Sequence, residues 1–391
     1  MKTRTSSVQT GLKALAGAAI AAAALAPLAS ASSMQHKHTK SQSAAHSSMT
    51  MSLKAAEAAL TPYLHHPSPQ PPLPKLNKLP KGKKLVFLNC GVPSCNQVWE
   101  SLQVPAKAVG LKLAQVNIGS SPTSIAAGFT SAEQLNPNVM MISADPNTLY
   151  TSELAALAKR RLPLLGVAVP DKISAAEPAV VYNNAQVINA GKLLADYAFV
   201  ETQAHTNAAF FYTPEYALFK EMAQSFVAEL NSRCPQCHAV AVPEAITTVG
   251  TTLPSAVVSY LQANHGVNWA GFAFTDMTAG VAQALHSAGL AGVKIITQGG
   301  AGGAALGEVK SGQIAADLSV DSTYQAWQEI DAAARAVDGQ AEPAQYVSKS
   351  TVPGELFTKA DVTAADAKRG GLLAYPSSYK QTFLNAWGVA K

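Results

Sequence analysis

From Lys84 onward, short continuous apolar runs alternate with longer stretches whose apolar residues recur every three or four positions. The first kind of run suits a strand buried on both faces; the second suits a helix that lays one stripe on a core. Read this way, the chain predicts strands at Leu85–Leu88, Leu113–Asn117, Val139–Ile142 and Leu164–Val167. Helices at Val98–Val109, Ser124–Gln134 and Thr151–Arg160 separate them. A second series follows, with strands at Ala208–Tyr212, Ala239–Val242, Gly271–Phe274, Val293–Thr297 and Ile314–Leu318. Its helices are Val187–Phe199, Phe219–Asn231, Leu253–Ala263 and Ala279–Ala288. Strict alternation of strand and helix implies parallel sheets with helices on both faces, so the expected fold is α/β with two doubly wound lobes. In such sheets a ligand sits beyond the carboxyl ends of the strands, and two lobes can close those ends on it by a hinge.

The stretch before Lys84 follows other rules. Lys2, Arg4 and Lys13 precede an Ala/Leu-rich run from Ala14 to Leu28, and Ala29-Ser30-Ala31 ends it. This is the pattern of a secretory signal peptide over residues 1–31, and it predicts a periplasmic or secreted protein. No cysteine lies near the cleavage site, which argues against a lipid anchor. Residues 32–82 are rich in Ser, His, Lys and Pro, including the run Pro67 to Pro74, and are expected to form a flexible, extended spacer. The histidines within it, His36, His38, His46, His65 and His66, have no fixed partner pattern, so no metal site is expected.

Composition narrows the classes. A chain that is 48% hydrophobic and 14% charged has the makings of two substantial cores. Its net charge of +5 is thinly spread and densest between Lys75 and Lys84, which does not support nucleic-acid binding. Four cysteines form two close pairs, Cys90 with Cys95 and Cys234 with Cys237. In an exported chain such pairs read as disulfides, each worth about 2 kcal/mol in loops this short. Cys234-Pro-Gln-Cys237 also has the spacing of a redox motif, but it closes a predicted helix where redox motifs open one.

Trp269-Ala-Gly-Phe-Ala-Phe-Thr-Asp276, followed by Ala279-Gly-Val-Ala-Gln-Ala-Leu-His-Ser-Ala-Gly289, resembles the type I periplasmic binding proteins of the ribose-binding kind. Tyr182-Asn183-Asn184 with Ala190-Gly191 to Tyr197 resembles that family's first crossover between lobes. The resemblance implies two lobes joined by a multi-strand hinge: residues 83–182 plus 321–350 in the first, and 183–320 plus 351–391 in the second, with the C-terminal tail that ends near Trp387 packing across both. It also implies a monomer that binds a small molecule and passes it to the permease of an ABC importer. The alternative is a periplasmic receptor serving a chemoreceptor or sensor kinase. No helix-turn-helix precedes Lys84, which sets a transcriptional regulator aside.

Carried over by position, the resemblance places ligand contacts at Asn89 and Ser94 in the first loop, Asp145 after the third strand and Asp171 after the fourth. Tyr182 and Asn183 stand at the crossover, and Tyr212, Glu215 and Tyr216 follow the first strand of the second lobe. Thr275 and Asp276, Gln298 and Asp321 complete the set. The sequence departs from the sugar-binding pattern where Gln298-Gly299-Gly300 and Val320-Asp321 replace the expected aspartate and glutamine. Together with Tyr182, Tyr212, Tyr216 and Phe274, this points to a ligand less hydroxyl-rich than a hexose, either aromatic or of mixed polarity. Gly300-x-Gly302-x-x-Ala305 partly matches a dinucleotide loop, but no cofactor is expected in an exported chain. Nor does the chain read as an enzyme. It has no Gly-x-Ser-x-Gly elbow, and His205, His238, His265 and His286 fall away from the predicted cleft. The spacing of Glu215 with Glu221 and of Asp317 with Asp321 gives neither pair an acid–base role.

Overall fold

In a computed structural model of the chain, the residues described are 48–65, 73–299, 305–339, 352, 354–363 and 378–389. The first sheet contains β1 (Lys84–Asn89), β2 (Lys112–Asn117), β3 (Val139–Ser143), β4 (Leu164–Val167) and β5 (Ala179–Val181). They pair in parallel in the order β2-β1-β3-β4-β5. Leu85 and Phe87 enter one core cluster while Val86 and Leu88 enter another, so β1 is apolar throughout because both of its faces are covered. Helices α2 (Pro93–Val109), α3 (Pro122–Gln134) and α4 (Thr151–Arg160) connect these strands. Ser121 and Ser124 form a reciprocal capping box that starts α3, and Gly110, at φ +84°, ends α2 in the left-handed conformation.

The second sheet contains β6 (Asn207–Tyr212), β7 (His238–Pro243), β8 (Trp269–Phe272), β9 (Lys294–Gly299), β10 (Ala316–Val320) and β11 (Gly354–Thr358), in the order β11-β10-β9-β8-β6-β7. All pair in parallel except β11, an antiparallel edge strand on β10. Helices α5 (Asn184–Glu201), α6 (Ala217–Arg233), α7 (Leu253–Ala263), α8 (Val281–Ser287) and α9 (Ala305–Ser311) belong to this lobe. The chain crosses between sheets at Tyr182–Asn183, and again after β10, where Asp321 accepts from the Tyr324 amide at 2.8 Å and starts α10 (Ser322–Val337). Helix α10 returns to pack on α2, β4 and β5.

One expectation is corrected. Residues 48–60, expected within an extended spacer, form helix α1, with Ala56 and Leu60 buried and Met49 and Leu53 packed beside them. Their spacing of four, three and four residues is a helical stripe, which the Ser/His/Pro-rich surroundings obscure. Beyond it, Tyr63 Oη accepts from Asn189 Nδ2 at 2.9 Å, Pro74 O accepts from Arg335 Nη2 at 2.7 Å, and Leu76 N donates to Ala386 O at 2.7 Å. The segment is therefore held against α5 of the second lobe and α10 of the first.

The C-terminal tail contacts both lobes. Strand β11 joins the second sheet, but the last helix, α11 (Ser378–Trp387), packs on α10 and α2 of the first lobe. Trp387 stacks on Trp327 at 5.3 Å and donates from Nε1 to Asp331 at 2.7 Å, while Asp331 pairs with Arg335 at 2.8 Å in full burial. Among the described residues no helix is long and apolar enough to cross a membrane.

Candidate ligand-binding cleft

Parallel strands put their carboxyl ends on one edge of each sheet, and here the two edges face each other. The residues just beyond β1, β3 and β4, namely Cys90, Ala144 and Ala168, meet Phe274, Thr275, Gln298 and Gly299 from β8, β9 and the turn after β8. They enclose a cavity of about 120 Å³, far more than the roughly 10–15 Å³ that one water needs. Tyr216 and Phe219 from the start of α6, and Ser322 and Gln325 from α10, complete much of its wall.

The disulfide Cys90–Cys95 folds the loop after β1 into the first turn of α2. Asn89 supports it from below. Its Oδ1 accepts from the Gly91 amide at 2.8 Å, and its Nδ2 donates to Asn96 and Gln115. Held in this way, Ser94 N donates to Asp276 Oδ2 across the cleft at 3.1 Å. Ser120 of the first lobe also lies near enough to Tyr216 of the second to act on its hydroxyl. The lobes are thus closed on each other.

Of the positions expected to contact a ligand, Ser94, Tyr182, Tyr216, Thr275, Asp276 and Gln298 line the cavity. The others do not. Asp171 turns to the Asn147 amide at 2.9 Å and Tyr150 Oη at 3.4 Å. Asn183 caps α5 by accepting from Gln186 N, Glu215 accepts from Ile246 N at 3.1 Å, and Asp321 caps α10. Tyr212 is buried at the end of β6, and Asn89 and Asp145 sit behind the wall. Among the lining residues that positional reasoning passed over are Val92, Val98, Phe219, Ser322 and Gln325. Phe219 lies one helical turn after Tyr216, and Ser322 directly follows Asp321; that nearness was the signal available.

Gly300 to Ala304 lie outside the described residues, so the glycine-rich loop is represented by Gly299 alone. A Cβ there would come within 2.2 Å of Thr275 Oγ1 and 2.9 Å of Asp317 Oδ1, so the backbone needs glycine to pass. Cys234 and Cys237 form their disulfide between the end of α6 and the start of β7, away from the cavity.

Burial raises several carboxyl pKa values around the cleft. Asp145, fully buried with no hydrogen-bond partner on either oxygen, is pushed up to about 7. Asp317 is also pushed up to about 7 by burial, partly offset by its bond from Ser319 at 2.7 Å. Asp276 is raised by burial and pulled back by Ser94. Tyr182 Oη is buried without a partner, and so is Ser322 Oγ. Tyr182 itself holds φ +54°, a conformation costly for a bulky residue and common where function constrains the backbone.

A closed two-lobed α/β molecule with a cavity at facing strand ends, whose chain crosses between the lobes after β5 and again after β10, has the architecture of a ligand-binding receptor. The family model described as "Periplasmic binding protein domain" matches residues 91–341, well over half of the chain, and the chain belongs to that family. Among solved structures it resembles an ABC transporter solute-binding protein from Agrobacterium vitis with bound allitol (TM-score 0.64, 19% identity, 74% of this chain and 100% of that one). A second from Agrobacterium vitis, bound with α-D-tagatopyranose, has TM-score 0.65 and 14% identity over 74% and 99% of the two chains. One from Mycobacterium smegmatis with bound glycerol has TM-score 0.61 and 18% identity over 74% and 98%. At these identities the likeness is one of fold. No protein of curated function matches the chain.

Proposed function

We propose that this chain is an exported solute-binding protein, freed of residues 1–31, which captures a small molecule between its lobes and delivers it as a monomer to the permease of an ABC importer. The observation that carries the reading is the cavity at the facing strand ends, where Tyr182 Oη and Ser322 Oγ are buried without partners. A buried hydroxyl with no partner costs about 1–3 kcal/mol, and a bound ligand would remove that cost. Membership of a binding-protein family supports capture over catalysis. Structures of the same fold with bound allitol, tagatopyranose and glycerol support a ligand of comparably small size.

Native mass spectrometry of the freshly purified protein tests this. A retained small molecule, lost on mild denaturation and matched by a rise in melting temperature when added back, is the expected result. If no adduct is found and no solute in a broad library raises the melting temperature, the proposal is wrong.

A further inference from the structure

We propose that the cleft selects a small organic cation, one carrying an ammonium group beside an apolar or aromatic body. This rests on the solute-capture reading and names the class of solute.

Charge is the first observation. Among the described residues lining the cavity, Asp276 is the one charged side chain, and none is a lysine or arginine. Two further carboxylates border it. Asp145 follows the lining residues Ser143 and Ala144 and is near enough to Tyr216 to act on its hydroxyl. Asp317 lies directly beneath Gly299 and is near enough to Tyr182 to act on that hydroxyl. Both are essentially inaccessible to solvent, both oxygens of Asp145 and Oδ1 of Asp317 lack a hydrogen-bond partner, and neither forms an ion pair among the described residues. A buried carboxyl group without counter-charge either holds its proton, as burial favours for Asp145 and Asp317, or is relieved by a cation. An anion would meet three carboxyl groups and nothing to balance them. A neutral polyol would bring hydrogen bonds but leave the Asp276 carboxylate without a counter-charge.

Aromatic rings are the second observation. Phe219 stacks on Phe274 at 4.9 Å, Tyr216 meets Phe219 edge-on at 5.8 Å, and all three line the cavity with Tyr182. Ring faces attract a cation through their quadrupole, most strongly where water is excluded, and an ammonium group accepts just this pairing of ring and carboxylate. Aliphatic Val92, Val98, Val167 and Val320 leave room for the apolar body.

Isosteric pairs separate charge from shape. Choline and 3,3-dimethyl-1-butanol differ in nitrogen for carbon; benzylamine and benzyl alcohol differ in the charged group. Titration calorimetry of the full-length mature protein should show each cation binding at least about tenfold tighter than its neutral partner, and benzoate not binding. Asp276→Asn should lower the affinity for the cations by about tenfold or more while changing that for the neutral alcohols by less than about threefold. Should that variant fail to fold, the pairs measured on the unsubstituted protein decide the matter. Equal or tighter binding of the alcohols, or binding of allitol with no response to either cation, overturns the charge assignment and leaves solute capture standing. If no compound binds and no retained molecule is found, both readings fall.

Discussion

At the scale of single residues, the cleft is closed by contacts that no local sequence pattern announces. Ser94 and Asp276 are 182 positions apart, yet the amide of one donates to the carboxylate of the other. A hydrogen bond to a charged acceptor contributes about 1.5–3 kcal/mol, so Asp276→Ala should shift the ligand-free molecule toward an open form by at least about tenfold. Small-angle X-ray scattering should register a larger radius of gyration; an unchanged radius would show that the contact contributes nothing to closure. Asp276, expected at the cleft because it stands in the polar turn after β8, lines the cavity. Asp171 and Glu215 were expected at the ligand on the same ground, but nearer backbone amides, of Asn147 and Ile246, claim both side chains. Which partner a carboxylate takes depends on what else its neighbourhood offers, and spacing along the chain does not record that.

Among the elements, α5 and α6 pack closely because Gly191 leaves room. A Cβ at that position would lie 2.3 Å from Ser225 Oγ and 2.4 Å from Met222 O, the latter a backbone atom that cannot swing aside. Gly191→Ala should therefore cost about 1–3 kcal/mol, seen as a lower melting temperature by circular dichroism. Gly307 in α9 is the control, since a Cβ there meets nothing within 4 Å. Alanine at 307 should be neutral or stabilising by about 0.5–1 kcal/mol, because helices favour it over glycine. Equal effects at the two sites would contradict the close packing. The strongly periodic elements were legible in sequence: α4 and α7 span the predicted residues, and most other boundaries differ by a few residues at one end or both. Three-residue β5 was not, being too short to show a period, and neither was β11, an antiparallel edge strand after α10.

For the whole molecule, buried carboxyl groups couple stability to pH. Asp145 and Asp317 are raised to about 7, Glu177 and Glu329 to about 8, and Asp171 and Asp321 to about 6, each chiefly by burial. A folded carboxyl with a raised pKa holds its proton where the unfolded chain, near 3.8 or 4.5, has already lost it. The unfolded state then binds fewer protons, so stability is fullest below the unfolded values and declines as pH climbs through the folded ones. Melting temperature, followed by scanning calorimetry without added ligand, should fall steadily between about pH 5 and pH 8. A plateau or a rise across that interval would show that these groups are ionised at little cost.

By itself, the sequence determined the α/β class, the two successive strand–helix series and the two cysteine pairs. Each follows from the order of residues along the chain: hydrophobic period, turn residues and short Cys spacing are local quantities. The tertiary structure alone decided that 48–60 is a docked helix, which part of the tail joins which lobe, and which polar residues face the cavity. The stripe of α1 has value only once α5 and the core beside it exist to receive it, and the last helix settles where Asp331 and Trp327 meet Trp387. The cleft is likewise made by the facing of two sheet edges, so its lining, with Asp276 and no lysine or arginine among the described residues, belongs to no single segment of the chain.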